Sequence, residues 1–300
     1  MLLPDLLSQR AMPSTDSLTA WWEQTREARG RETTTVDRAL VGGVLADRLG
    51  FAFAAGYHEA LRALVQTKSD DICALCITEA RGNSPKDIDT TLTIAGDDFE
   101  ITGKKKWATT APLAKTLLVC ATLGNSPDGK AMLRLVRVPT DAPGVRLTAS
   151  SAPFVPEIPH AEVELDHVRV TADDILPGDG YTDYVKPFRT IEDAHVHAAL
   201  FGYLIGTARR HNLANDLIEQ LLATAVTARA IALADPTSPT THLALAGLIT
   251  FAGEHVVETE RALEGIDDDE WKRWVRDRAL LRVAGAARAA RCERAWEAVR

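Results

Sequence analysis

The sequence is poor in the features that announce a function by themselves. It has four cysteines in 300 residues, Cys73, Cys76, Cys120 and Cys292. Cys73 and Cys76 form a C-x-x-C, but within the strand-like run ICALCITEA. An odd offset in a strand points two side chains to opposite faces, which disfavours a shared metal or a disulfide. Positive charge is not in excess either. Lys and Arg number 34 against 42 Asp and Glu, a net charge of -8, and phosphate backbones need clustered cations. The run Lys104-Lys105-Lys106 is expected to be a solvated edge, so no nucleic-acid partner is expected. Long apolar runs are missing: Ala39 to Gly56 is interrupted by Asp47 and Arg48, which are costly in hydrocarbon. The start, MLLPDLLSQR, lacks a basic n-region and a cleavage site, so a cytoplasmic protein without a signal peptide is expected. No P-loop, GxGxxG or Ser-His-Asp signature occurs. His195 and His197 stand at i, i+2, about 200° apart on a helix, so no metal site is expected.

What is present is a change of hydrophobic period along the chain. A short helix starting near Asp16 carries Trp21 and Trp22. Residues 34–66 repeat apolar side chains at helical spacing from Val36 to Val65, with Thr34 or Thr35 as cap. Glycines at 42, 43, 50 and 56 allow a close neighbour. From about residue 71 the period becomes two. Leu92 and Ile94, the turn Gly96-Asp97-Asp98, then Phe99 and Ile101 predict a hairpin. Leu117 to Ala121 reads as a strand buried on both faces, with Met132 to Val138 beside it. Val163 and Leu165 alternate until Asp166-His167, where the phase slips by one, predicting a bulge. Helical spacing returns over 189–210, 212–234, 240–264 and 268–299. The expected organisation is α+β and multidomain: an N-terminal helical segment (1–70), a central β-barrel or sandwich (71–180) and a C-terminal helical bundle (181–300).

Three stretches carry a resemblance to a known family. Ala74-Leu75-Cys76-Ile77-Thr78-Glu79, with Gly82 and Ser84 behind it, resembles the acyl-CoA dehydrogenase strand and loop A-x-x-[IVL]-T-E-P-x-x-G-S-D. Residues 96–122 resemble that family's hairpin, with Phe99, Ile101, Gly103, Lys105, Trp107, Thr109 and Ala114 in order. VELDHVRVTADDILPGDGY resembles the segment that follows. The three matches together cover about residues 72–181.

The resemblance implies an acyl-CoA dehydrogenase-like fold and an FAD-dependent α,β-dehydrogenation of an acyl-CoA or related ester, as in fatty acid metabolism. It implies that Ile77 and Thr78 contact the flavin ring, Ser84 the pyrophosphate and Trp107 the isoalloxazine face, with Thr109 near N5. A flat, electron-poor ring suits an aromatic wall and a few fixed donors. The family's base can sit on the first helix after the β-domain. Here that position falls on Glu192 or, in another alignment, on Asp193. Burial and mutual repulsion would raise such a carboxyl toward working pH. The bland alternative is a helix-start carboxylate pair interacting with the dipole. Glu192 could also pair with His195 at i, i+3. Electrons would leave to a carrier protein or to oxygen, and a homo- or hetero-oligomer is expected. R-x-x-F-G and Q-x-x-G-G motifs are not found, and Ala80, Asn83 and Pro85 depart from the loop pattern. The competing expectation is therefore a non-catalytic homologue serving as an interaction or assembly subunit.

Overall fold

The computed structural model describes residues 2–9, 12–150 and 152–300. It divides into two compact units: Lys68–Pro187, and Met1–Thr67 together with Phe188–Arg300.

The first unit is a mixed sheet that curls into a half-barrel. Its strands are β1 (Cys73–Cys76), β2 (Thr91–Ala95), β3 (Asp98–Thr109), β4 (Thr116–Asn125), β5 (Ala131–Pro139), β6 (Val145–Ser150) and β7 (His160–Val170). The order is β1-β4-β2-β3-β7-β6, with β5 also on β4. The hairpin closes where expected: Ala95 pairs with Asp98 across Gly96-Asp97, and Gly96 takes φ 72°, which glycine adopts without a Cβ penalty. Leu117 to Ala121 is buried throughout, because β4 has paired strands on both sides and core on both faces. The slip at Asp166-His167 is a bulge. Ile101 faces Val168 and Gly103 faces Leu165, so β7 spends one residue more than β3, and His167 turns to φ 51°. Val163, Leu165, Val168 and Val170 thereby all stay buried.

The second unit is helical: α1 (Leu2–Ser8), α2 (Leu18–Gly30), α3 (Thr35–Leu45), α4 (Leu49–Val65), α5 (Lys186–Arg210), α6 (Asn215–Ala232), α7 (Pro239–Ala262), α8 (Asp269–Asp277) and α9 (Gly285–Val299). Ser17 caps α2, Thr34 caps α3 through the Asp37 N–H, and Asp268 caps α8. No described helix is long and apolar enough to cross a membrane.

Two expected helices are each broken. The 34–66 stripe divides at Ala46, whose ψ of 138° leaves the helix. The carbonyls freed there are not orphaned: Arg210 Nη1 donates to Val44 O (3.3 Å) and Nη2 to Ala46 O (3.0 Å). The break also aims Arg48, buried, at Asp47 (2.8 Å) and Asp16 (3.0 Å). The 268–299 stretch divides at a 3-10 turn, Arg278–Arg282, and at Ala284, held at φ 68°. Apolar periodicity runs through both breaks, so the pattern alone draws one helix. Gly43 and Gly202 mark the closest helix approach. A Cβ on either would run into the backbone oxygen of Ala199 or Leu40.

Candidate functional site

Two of the motif segments of the sheet are tied together through the backbone. Ile77 and Thr78 follow β1, and the Lys106 N–H donates to Thr78 O at 2.7 Å, tying that segment to the end of β3. The end of β3 is itself irregular. Lys105 pairs with Val163 and Ala108 with Ala161, so β3 inserts one residue. Trp107 sits in this bulge at φ 58°, a left-handed conformation that costs a non-glycine residue on the order of 1–2 kcal/mol. At this bulge the indole points outward, and Trp107 is 57% exposed. Thr109 ends the strand opposite His160. Thr78 and Thr109 are half-buried, and among the described residues neither hydroxyl has a hydrogen-bond partner. Ser84 caps the turn Pro85–Asp87, and its own N–H donates to Asp87 Oδ2 at 3.2 Å. One exposed aromatic face and two uncommitted hydroxyls near one strand end fit a planar, hydrogen-bonding ring.

Nearby lies an ion pair, Lys105 with Glu79, whose lysine was expected on a solvated edge. Lys105 is not on a solvated edge; it is fully buried. Its Nζ donates to Glu79 Oε1 and to Cys120 O, each at 2.6 Å. Glu79 also accepts from the Asp89 N–H (2.8 Å), the Thr90 N–H (3.1 Å) and the Thr90 hydroxyl (2.7 Å). Burial alone would raise the Glu79 carboxyl. Lys105 and these donors prevail and hold it below the usual carboxylate range. The pair therefore fixes the loop of residues 79–90. Alternation from buried Ile101 through Gly103 to Lys105 was the signal that this lysine points inward. Only Lys104 and Lys106 follow the expectation: both reach solvent, opposite Glu164 (3.1 Å) and Glu162 (3.8 Å). Cys76 and Cys120 are buried free thiols, and burial pushes them up to about 12 and about 11.

In the helical unit, α5 separates its two adjacent carboxylates. Asp193 is buried and clamped by α9: Arg288 Nη2 stands 2.8 Å from Oδ1, and Arg291 Nη2 stands 2.6 Å from Oδ2. Glu192 has no ion-pair or hydrogen-bond partner among the described residues. The residue is half-buried overall, yet its carboxyl is poorly hydrated. Burial first, then the neighbouring Asp193, pushes it up to about 7, against Arg288 and Arg189. It lies beyond the first turn of α5, which starts at Lys186, so the helix-start dipole reading does not apply. Nor does Glu192 pair with His195, whose Nδ1 donates to Ile191 O (2.8 Å) while Nε2 faces the Thr35 hydroxyl (2.9 Å). The Arg209-Arg210 pair is committed elsewhere: Arg209 to Leu6 O and Gln9 O, Arg210 to Glu270.

The half-barrel with helices before and after it defines an acyl-CoA dehydrogenase-like fold. Butyryl-CoA dehydrogenase from Megasphaera elsdenii superposes at a TM-score of 0.63 with 13% identity, covering 87% of this chain and 81% of that one. PigA, in a structure with FAD and proline, superposes at 0.66 with 14% identity, covering 89% and 85%. Sequence carries the match further. Residues 74–168 fit the family model for the acyl-CoA dehydrogenase middle domain. The probable acyl-CoA dehydrogenase YngJ of Bacillus subtilis is 33% identical over 114 residues, which are 38% of this chain and 30% of that protein. Acyl-CoA dehydrogenase IpdE1 of Mycobacterium tuberculosis is 30% identical over 158 residues, 49% and 40% of the two chains. These sequence matches span only about a third of the length of the relatives. Residues 74–168 thus match the acyl-CoA dehydrogenase middle domain in sequence, and the chain as a whole takes an acyl-CoA dehydrogenase-like fold.

Proposed function

We propose that the chain is an FAD-binding oxidoreductase that removes hydrogen from the α and β carbons of an acyl-CoA thioester. The observation that supports this reading is the strained, outward Trp107, with the unpartnered hydroxyls of Thr78 and Thr109, inside the segment that matches the family model. Trp107 would cover one face of the ring. Thr78 and Thr109 would donate to its polar edge, with Ile77 supplying backbone contacts and Ser84 a hydroxyl for the pyrophosphate. FAD, when bound, supplies the two-electron acceptor for the hydride leaving the β carbon.

Glu192 is the base in this proposal. It takes the α-proton, and a carboxyl near pH 7 can both accept and release one. Asp193, the other alignment's choice, is held by two guanidinium groups and serves α9 instead. A thioester is the substrate class because its carbonyl stabilises negative charge developing at the α carbon better than that of an oxygen ester or amide. Electrons would pass to a carrier protein or to oxygen, and an oligomer in the cytoplasm is part of the same proposal. The test is turnover of straight-chain acyl-CoA thioesters with FAD and an artificial electron acceptor. Glu192→Gln should abolish it. Unchanged turnover in that variant removes Glu192 from the reaction, and no turnover with any thioester favours the assembly-subunit reading.

A further inference from the structure

The helical unit holds a cavity of about 540 Å³ lined by α5, α7, α8 and the Arg278–Arg282 turn. This is the size range of small-molecule sites. Its walls are aliphatic: Leu200, Ile249, Ala252, Val256 and Leu281. Among them stands one nitrogen heterocycle, His197, only 5% exposed. His197 Nδ1 lies 2.6 Å from Asp193 O. A carbonyl only accepts, so Nδ1 carries the proton. Burial, with Arg288 nearby, pulls the ring down to about 4, so it is neutral at pH 7. Nε2 is then a bare acceptor, and among the described residues it has no donor. The lining also carries two cations. Arg278 is paired with Glu260 at 3.1 Å. Arg282 is exposed and has no ion pair among the described residues.

A mainly apolar, half-open pocket with one neutral acceptor, one unpaired cation and the Arg278–Glu260 pair selects a particular chemistry. We infer that this cavity is a binding site for an amphipathic carboxylate, with a hydroxyl or amide donor on its apolar body for His197 and its anionic end at Arg282. A purely aliphatic guest would leave Nε2 without a donor, whereas an anionic guest gains a charge-assisted contact at Arg282 that an uncharged one lacks. The site is separate from the proposed base. His197 lies five positions beyond Glu192, about 140° round the helix, so the inference does not depend on the flavin reading.

Gly253 supplies a clean test. It lines the cavity, and a Cβ built there meets nothing within 4 Å. Gly253→Leu should obstruct part of the chamber without disturbing the fold, since leucine also suits a helix better than glycine. The probe is ω-hydroxydecanoate, titrated calorimetrically into the full chain alongside decanoate and decanediol. The hydroxy acid should bind one per chain, at least about tenfold tighter than either relative, as one satisfied polar contact provides. Gly253→Leu should abolish binding with no loss of melting temperature. His197→Phe should lower the hydroxy acid to the level of decanoate. The inference is overturned if no probe binds the wild type, or if both variants bind as it does. It is equally overturned if Gly253→Leu alters the oligomeric state while no probe binds, because the chamber is then an interface between copies.

Discussion

Lys105 Nζ lies 2.6 Å from Glu79 Oε1, with the lysine wholly out of solvent and the glutamate 7% exposed. The pair holds the loop behind Thr78 in place. Lys105→Met should leave an unpaired buried carboxylate and cost about 3–5 kcal/mol, read as a lower midpoint in urea. Because the folded Glu79 pKa is depressed, its contribution is complete above the ordinary carboxylate value of about 4.3. It disappears as pH falls through the lower folded value. Melting curves between neutral and acid pH should therefore show a steeper acid loss for the wild type than for Glu79→Gln.

Trp107 is held at a backbone angle that glycine adopts freely. Trp107→Gly should stay within about 1 kcal/mol of wild-type stability, because relief of left-handed strain of that order offsets lost ring contacts. Flavin affinity should nevertheless drop. A variant that unfolds would show that the indole serves the fold rather than a ligand.

The two neighbouring carboxylates of α5 should separate cleanly. Asp193→Asn breaks its contacts with Arg288 and Arg291 and should cost about 3 kcal/mol, measured by chemical denaturation. Glu192→Gln should leave stability unchanged or raise it. A raised carboxyl pKa favours the fold below the unfolded value, and that advantage is lost as pH rises through about 7. The same titration predicts that kcat/KM of the wild type climbs with pH up to about 7 and levels above it.

Ala284 is exposed at φ 68°, where the last helical stretch breaks. Ala284→Gly should raise stability by about 1 kcal/mol, seen as a higher melting temperature. Destabilisation would mean that the break is not a built-in joint.

The legible parts of this molecule were those with local causes. The Gly96-Asp97 hairpin, the buried β4 and the Asp166-His167 bulge each leave a mark in residue order. Both helix breaks depend on partners far along the chain. Arg210 takes the carbonyls of Val44 and Ala46, more than 160 residues away, and α9 is turned so that Arg288 and Arg291 reach Asp193. An apolar stripe cannot report such partners. Of the candidate site, the motif named Thr78, Trp107 and Thr109, while the indole's outward turn follows from a bulge that the sequence does not mark. Lys105 was misread because three consecutive lysines look like a surface, although strand alternation puts the middle one inside.

The flavin wall is tested most directly by titrating the purified full chain with FAD while following visible absorbance and Trp fluorescence. A saturable, one-to-one flavin band with quenching, weakened in Trp107→Gly and in Thr109→Ala, is the predicted result. A wild-type chain that stays colourless and ignores added FAD would contradict it.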